Sequence, residues 1–207
     1  FPRDFARVKT VVPWIQYVAY CLSGKLVTEI SGMACQSHLL NIRDGGYSSL
    51  VKRMGWEPLF PPMAKAWETI GTLRGEFLGN GFRGRGNVLA GVHDSNANYL
   101  RYLAGGQKKF TLLSTGTWII GFDTETGLAS LIEERDTVSN TDVFGNRVGS
   151  GRFFGGREFE IVSGGASGDM ASLPAVQDLI ATTTYALPSF SDGGGPIPRT
   201  GGRGRIV

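Results

Sequence analysis

Apolar side chains occupy nearly every side of residues 13–22, PWIQYVAYCL, until Ser23 and Gly24 interrupt them. A run with no polar stripe predicts a helix buried around most of its circumference and stopped at Ser23-Gly24. Residues 27–42 follow neither the helical nor the strand period and read as irregular chain with short extended pieces. Residues 46–56 predict a short helix, after which Pro58, Pro61 and Pro62 forbid regular helix and impose a loop. Residues 87–92, NVLAGV, form a continuous apolar run between Gly84-Arg85-Gly86 and the polar pair His93-Asp94. Such a run predicts a buried strand of an α/β sheet. Asp94-Ser95-Asn96 then opens a helix running to about Ala104.

Past the polar stretch Gly105-Gly106-Gln107-Lys108-Lys109 the pattern changes to two β-rich runs, 110–114 and 118–122, on either side of Thr115-Gly116-Thr117. A domain boundary is placed there, giving one domain over 1–106 and another over 107–207. Further strands are expected near 128–132 and 143–148, with helices starting near Gly156 and Leu173. The fold class is α/β. From Ser189 onward Gly, Pro and Arg dominate and no helix or strand is expected to close the chain, so it reads as a piece cut in mid-domain.

Composition narrows the class. With 207 residues, 41% of them hydrophobic and 11% aromatic, the chain can build a core and is not a disordered segment. No apolar run approaches the roughly 20 residues needed to span a bilayer, and the opening Phe1-Pro2-Arg3-Asp4 lacks the basic and apolar regions of a secretory signal. These features predict a soluble cytoplasmic protein with no membrane partner. Cys21 and Cys35 are the only cysteines. Without CxxC spacing or a histidine cluster, they predict reduced thiols, neither a zinc site nor a disulfide framework. The net charge of +3 is concentrated in Arg199, Arg203 and Arg205 of the Gly-rich tail; a solvent loop explains it better than an RNA-binding segment, and no nucleic-acid partner is expected.

Several residues can carry chemistry. Asp94 sits where an apolar strand ends and a helix begins, and ligands of open α/β sheets gather at the carboxyl ends of strands. A carboxylate there can take a proton from an alcohol that attacks phosphorus. Asp94 or Ser95 serves equally well as a helix N-cap, since both are favoured there. Ser114-Thr115-Gly116-Thr117 can turn amide groups and a hydroxyl toward phosphate oxygens, or it can be an ordinary hairpin turn. His93 either touches a substrate or bonds to a loop; His38 has no visible carboxylate or Cys partner and is read as structural. Gly155-Gly156-Arg157-Glu158 either binds an anion at a helix start or settles local charge. No GxSxG elbow supports a serine hydrolase, and neither GxxxxGK[ST] nor GxGxxG occurs.

Together these pieces resemble the FGGY carbohydrate kinases over most of the chain. WIQYVAYCLSGKLVTEISGMACQSHLLNIRDGGY is similar to the family stretch in which a Y-x-x-x-x-L-x-G helix leads to T-x-x-S and then L-x-D/N-I-R. GVHDSNANYLRYLAGG resembles the end of the family's first domain, where the Asp is the catalytic base. LLSTGTWIIGF resembles the start of the second, where a Gly-Thr pair contacts ATP phosphate. The tandem His93-Asp94 and FFGGREFE are most similar to rhamnulokinases and L-fuculokinases.

The resemblance implies an actin-like pair of ribonuclease H-like domains closing around ATP, Mg²⁺ and a ketose. It implies Asp94 as base, His93 and Ser95 flanking the sugar, Gly116 and Thr117 at the nucleotide phosphates, and Trp118 as a cleft wall or a core aromatic. The family's D-x-G-T hairpin and late Gly-rich adenosine motif are absent. The chain therefore corresponds to the C-terminal half of the first domain and the N-terminal half of the second. The competing reading is a non-catalytic sugar-binding module, or an inert fragment, of the same fold.

Overall fold

The computed structural model describes residues 2–35, 37–79, 82, 84, 86–192 and 194–207, except for the side chains of Pro2 and Met170. Arg85 of the expected Gly-Arg-Gly turn, and Gln36 and Gly193 of the motifs above, lie outside them. Two compact units divide the chain: one runs to Gln107 and includes Asn140–Val148, the other comprises Lys108–Ser139 and Gly149–Val207.

The first unit opens with a turn of helix, α1 (Pro2–Phe5), and then α2 (Trp14–Ser23), which ends on Gly24 in the left-handed conformation at φ 74. Glycine suits this stop because it carries no Cβ to clash at positive φ. The helix is not buried all round as expected: Gln16 and Ala19 face inward, whereas Trp14, Tyr17 and Val18 are exposed in this structure. Gln16 is fully buried because its Nε2 donates to the carbonyl of Ala90, 3.1 Å away. Where irregular chain was expected, β1 (Thr28–Glu29) leads directly into α3 (Ile30–Ala34). Next comes α4 (Ser49–Met54), capped by the Ser48 hydroxyl and stopped at Gly55.

The proline-rich loop delivers β2 (Met63–Ala64), which pairs parallel with β1. β3 (Thr69–Thr72), which no apolar pattern announces, pairs antiparallel with β4 (Asn87–Leu89). The apolar run 87–92 is thus a strand for its first half only. α5 (Asp94–Ala104) follows as expected and turns Ser95, Asn96 and Tyr99 inward. Met33, Val51 and Ala90 are completely buried and form the centre of this unit.

The second unit holds most of a four-stranded sheet of order β5-β6-β8-β7, made of β5 (Thr111–Thr115), β6 (Ile119–Asp123), β7 (Thr137–Thr141) and β8 (Arg147–Phe153), the last two residues of β7 and the first two of β8 being counted with the first unit. Leu112, Ile120 and Phe122 alternate onto its buried face, as the two-residue period of a strand requires. The expected strand near 128–132 is instead a 3₁₀ turn, Leu128–Ser130, because the following Glu133-Glu134-Arg135 carries no apolar alternation to pair. The expected strand at 143–148 is centred on a hairpin turn. Asp142 Oδ1 accepts from the amides of Phe144 and Asn146, each at 2.8 Å, and Gly145 takes φ +85. That turn belongs to the first unit, where Asn96 Nδ2 donates to the Thr141 carbonyl at 2.6 Å and Trp67 packs on Phe144.

α6 (Gly155–Ser163) and α7 (Leu173–Ala181) begin where expected. The tail does close on a strand: β10 (Arg205–Ile206) pairs antiparallel with β9 (Ala186–Leu187). Glu158, buried on α6, anchors the intervening segment by accepting from the amides of Phe190 and Ser191 and from the Ser191 hydroxyl. Burial opposes its charge, but the Ser191 hydroxyl and the two amides outweigh that and hold the carboxyl below its ordinary range. Arg157 pairs with Glu160 at the surface. The Gly155–Glu158 cluster therefore settles local charge and anchors the tail.

Asp123, at the end of β6, accepts from the Thr111 and Thr126 hydroxyls and from the amides of Glu125 and Thr126. The Thr111 hydroxyl does most to lower its pKa from 3.8 to about 2, followed by that of Thr126; partial burial opposes them and the amides add to the fall. A carboxyl whose folded pKa is depressed stabilises the fold above its unfolded pKa and loses that contribution as pH falls through the folded one. Asp123→Asn should therefore lower the urea-unfolding midpoint at pH 5, and the deficit should shrink as pH falls from 3.8 toward about 2. A deficit constant over that range would contradict this assignment. Among the described residues no helix is long and apolar enough to cross a membrane, and Cys21 and Cys35 form no disulfide.

Candidate functional site

In the first unit the chain leaves β4 through Ala90 and turns at Gly91. The φ of Gly91 is +86, and a Cβ there would lie 2.9 Å from Ile15 Cγ2, so only glycine fits without displacement. His93 follows as the N-cap of α5, with extended backbone and no side-chain cap bond; its amide instead donates to Ser31 Oγ at 3.0 Å. Asp94 is thus the first helical residue rather than the cap. Its Oδ1 accepts from the Ser95 amide at 2.6 Å and lies 3.3 Å from His93 Nε2, yet its side chain is 90% exposed. A carboxylate this open keeps free lone pairs for a ligand, and the start of a helix favours its negative charge.

His93 Nε2 also lies 3.2 Å from Cys35 Sγ, while its Nδ1 is buried and has no partner among the described residues. Ser95 is buried beneath Asp94, with its hydroxyl 3.4 Å from Asp94 Oδ1. The structure therefore gathers His93, Asp94 and Ser95 into one small polar cluster and adds Cys35 and Ser31 to it. Neither addition was visible in the sequence, because both stand some sixty positions away. His38 lies outside the cluster and is exposed, at φ 58.

In the second unit β5 and β6 pair through Thr115 and Ile119, leaving Gly116-Thr117-Trp118 as the hairpin loop. Gly116 and Thr117 are exposed. The loop is braced from behind. The Gly156 amide at the start of α6 donates to the Thr117 carbonyl at 3.1 Å, and Trp118 stacks on Phe154 with ring centroids 4.3 Å apart. Arg152 lies over the Trp118 ring at 5.4 Å and is fixed by Asp136 at 2.9 Å. Trp118 is consequently a half-buried brace of the loop. A Cβ on Gly156 would fall 2.5 Å from the Gly116 carbonyl oxygen and 2.7 Å from Thr117 Cα, so backbone packs on backbone here. Gly156 is a loop-positioning residue that its sequence context concealed.

An exposed Gly-Thr turn backed by α6 suits oxyanions such as phosphate. Among the described residues no group of three or more His, Cys, Asp or Glu side chains stands together to hold a metal.

Residues 107–206 match the family model described as carbohydrate kinase FGGY, C-terminal domain. No curated protein matches the sequence. Among solved structures, a carbohydrate kinase from Novosphingobium aromaticivorans is 35% identical with a TM-score of 0.72, and the match covers 96% of this chain and 46% of that one. The ligand-bound xylulose kinase from Lactobacillus acidophilus (16% identity, TM-score 0.70) and the xylulose kinase from Rhodospirillum rubrum (17%, 0.63) match all of this chain over 43% of theirs. The chain spans less than half the length of each of these three structures. It has the α/β, actin-like fold of the FGGY carbohydrate kinase structures, over part of their length.

Proposed function

We propose that this chain is part of an ATP-dependent kinase that phosphorylates a hydroxyl of a ketose, with Asp94 as the general base. The observation that carries the reading is the open Asp94 carboxylate at the strand-to-helix junction, in a chain whose fold is that of the FGGY kinases. ATP supplies the phosphoryl group. Asp94 accepts the proton of the attacking sugar hydroxyl as its oxygen bonds to phosphorus. His93, beside Asp94, holds a neighbouring sugar hydroxyl, and Ser95, buried beneath the carboxylate, flanks the sugar site and keeps Asp94 oriented through its amide. In the second unit, the amides of Gly116 and Thr117 and the Thr117 hydroxyl meet the nucleotide phosphates. In this reading residues 1–106 belong to the first kinase domain and 107–207 to the second, and Mg²⁺ arrives with the nucleotide.

The tandem His93-Asp94 and FFGGREFE favour a rhamnulose- or fuculose-type ketose over xylulose. Coupled ATP turnover by the complete protein, assayed with L-rhamnulose, L-fuculose and D-xylulose, tests both levels. Sugar-dependent turnover is expected, with one of the two deoxyketoses preferred. Preference for xylulose would correct the subtype alone, and no turnover with any ketose by a folded, ATP-binding protein would overturn the reading.

A further inference from the structure

We infer that Glu29 and Ser31 are positioning residues that set the conformation of the His93–Asp94 junction through a buried hydrogen-bond relay; the inference rests on the reading of Asp94 as the base. The relay starts at a carboxylate with no exposed surface. Glu29 is the last residue of β1, and its Oε2 accepts from the Ser31 hydroxyl at 2.6 Å and from the Gly32 amide at 3.1 Å. Ser31 is also fully buried. Its single hydroxyl proton is committed to Glu29, which leaves its oxygen lone pairs to accept, and they accept from the His93 amide at 3.0 Å.

This last bond falls where the helix has least support of its own. The first amides of a helix have no intrahelical partner, and a side chain at the N-cap normally supplies one. The His93 side chain supplies none. The Ser31 hydroxyl, 62 positions away in sequence, instead holds the N-cap backbone from outside the helix. The Asp94 backbone begins one peptide unit later, so fixing the His93 amide limits where the Asp94 carboxylate can reach. Glu29 acts at one remove: with its bond from Ser31 in place, Ser31 has one orientation available, that of an acceptor toward His93.

Neither residue touches the cluster's open face, and Glu29 and Ser31 do not act on protons of the reaction. Their role is to convert a short, exposed helix start into one with a defined geometry, on which a catalytic advance depends steeply. Glu29 itself is held in β1 by the parallel pairing of Thr28 and Glu29 with Met63 and Ala64, so the relay is anchored in sheet rather than in loop.

The experiment uses the complete protein with Ser31→Ala, and the shape-preserving Glu29→Gln as a second variant should Ser31→Ala not fold. Amide hydrogen exchange is read by segment, alongside kcat and the KM values of ATP and sugar. Exchange at residues 92–96 should rise about tenfold in Ser31→Ala, the worth of one hydrogen bond, while exchange at residues 111–123 stays as in the wild type. Turnover should fall by about the same factor with the ATP KM unchanged. Glu29→Gln should move the same readings in the same direction by less, because its amide oxygen still accepts from Ser31. Unchanged exchange at 92–96 in the folded variant overturns the relay. Raised local exchange with undiminished kcat overturns the positioning role. Where the wild type binds ATP but turns over no sugar, the kinase reading fails, and the exchange result alone then decides whether the relay exists.

Discussion

Asp94→Asn in the complete protein should lower kcat for sugar phosphorylation by about 10²–10⁴-fold, the usual worth of a positioned general base, with ATP affinity retained. The substitution suits the question because little structure depends on the charge. The Asp94 side chain is 90% exposed, and its shortest bond, from the Ser95 amide, is one that an Asn oxygen can equally accept. A folding defect is therefore not expected, and a fall in turnover reports chemistry. Steady-state kinetics with the preferred ketose, together with ATP titration monitored by fluorescence, check both halves of the expectation. Turnover within twofold of wild type would remove Asp94 from the base role.

The second large effect is expected at Gly156. Any side chain there meets the Gly116 carbonyl oxygen at 2.5 Å and Thr117 Cα at 2.7 Å, and these are backbone atoms that no rotamer change can move aside. Gly156→Val must therefore displace the turn, and with it the hydrogen bond from the Gly156 amide to the Thr117 carbonyl. The ATP KM should rise about tenfold or more, and stability should fall by about 1–3 kcal/mol, as for other forced overpacking. Gly168→Ala makes a suitable control, since a Cβ there meets nothing within 4 Å. It should leave both quantities unchanged. If Gly156→Val lowers the melting temperature but not ATP affinity, the Gly116-Thr117 turn does not serve the nucleotide.

The elements that the sequence announced most clearly are those formed by neighbours in the chain. The apolar run before His93-Asp94 and the two β-rich runs around Gly116-Thr117 each carry their own pattern, and the α/β class follows from them. The start of α7 at Leu173 was legible for a similar reason, a Ser172 cap and Pro174 in the first turn. The failures have a common physical origin. Val143, Phe144 and Val148 look like strand residues, but Asp142 folds the backbone between them into a turn by accepting two amides. α2 looked buried all round because its apolar residues were counted without knowing which neighbours this chain provides.

The bonds that shape the candidate site were illegible in principle. Ser31 reaches His93 across 62 positions, and, away from the site, Glu158 reaches Ser191 of the tail across 33. A serine and a glutamate in such places follow no local period, and only the folded chain shows what they hold.

The hairpin joining β7 and β8 bears on how the protein can be dissected. Residues 140–148 are counted with the first unit although the strands on either side of them continue into the second, so the chain passes between the units at three places. A gene truncated after Gln107 would encode a first unit lacking the Thr141 carbonyl that Asn96 bonds and the Phe144 ring that Trp67 packs against. The two units are thus not separable as consecutive expression products. A faithful recombinant first unit would need residues 140–148 grafted back through an engineered connection.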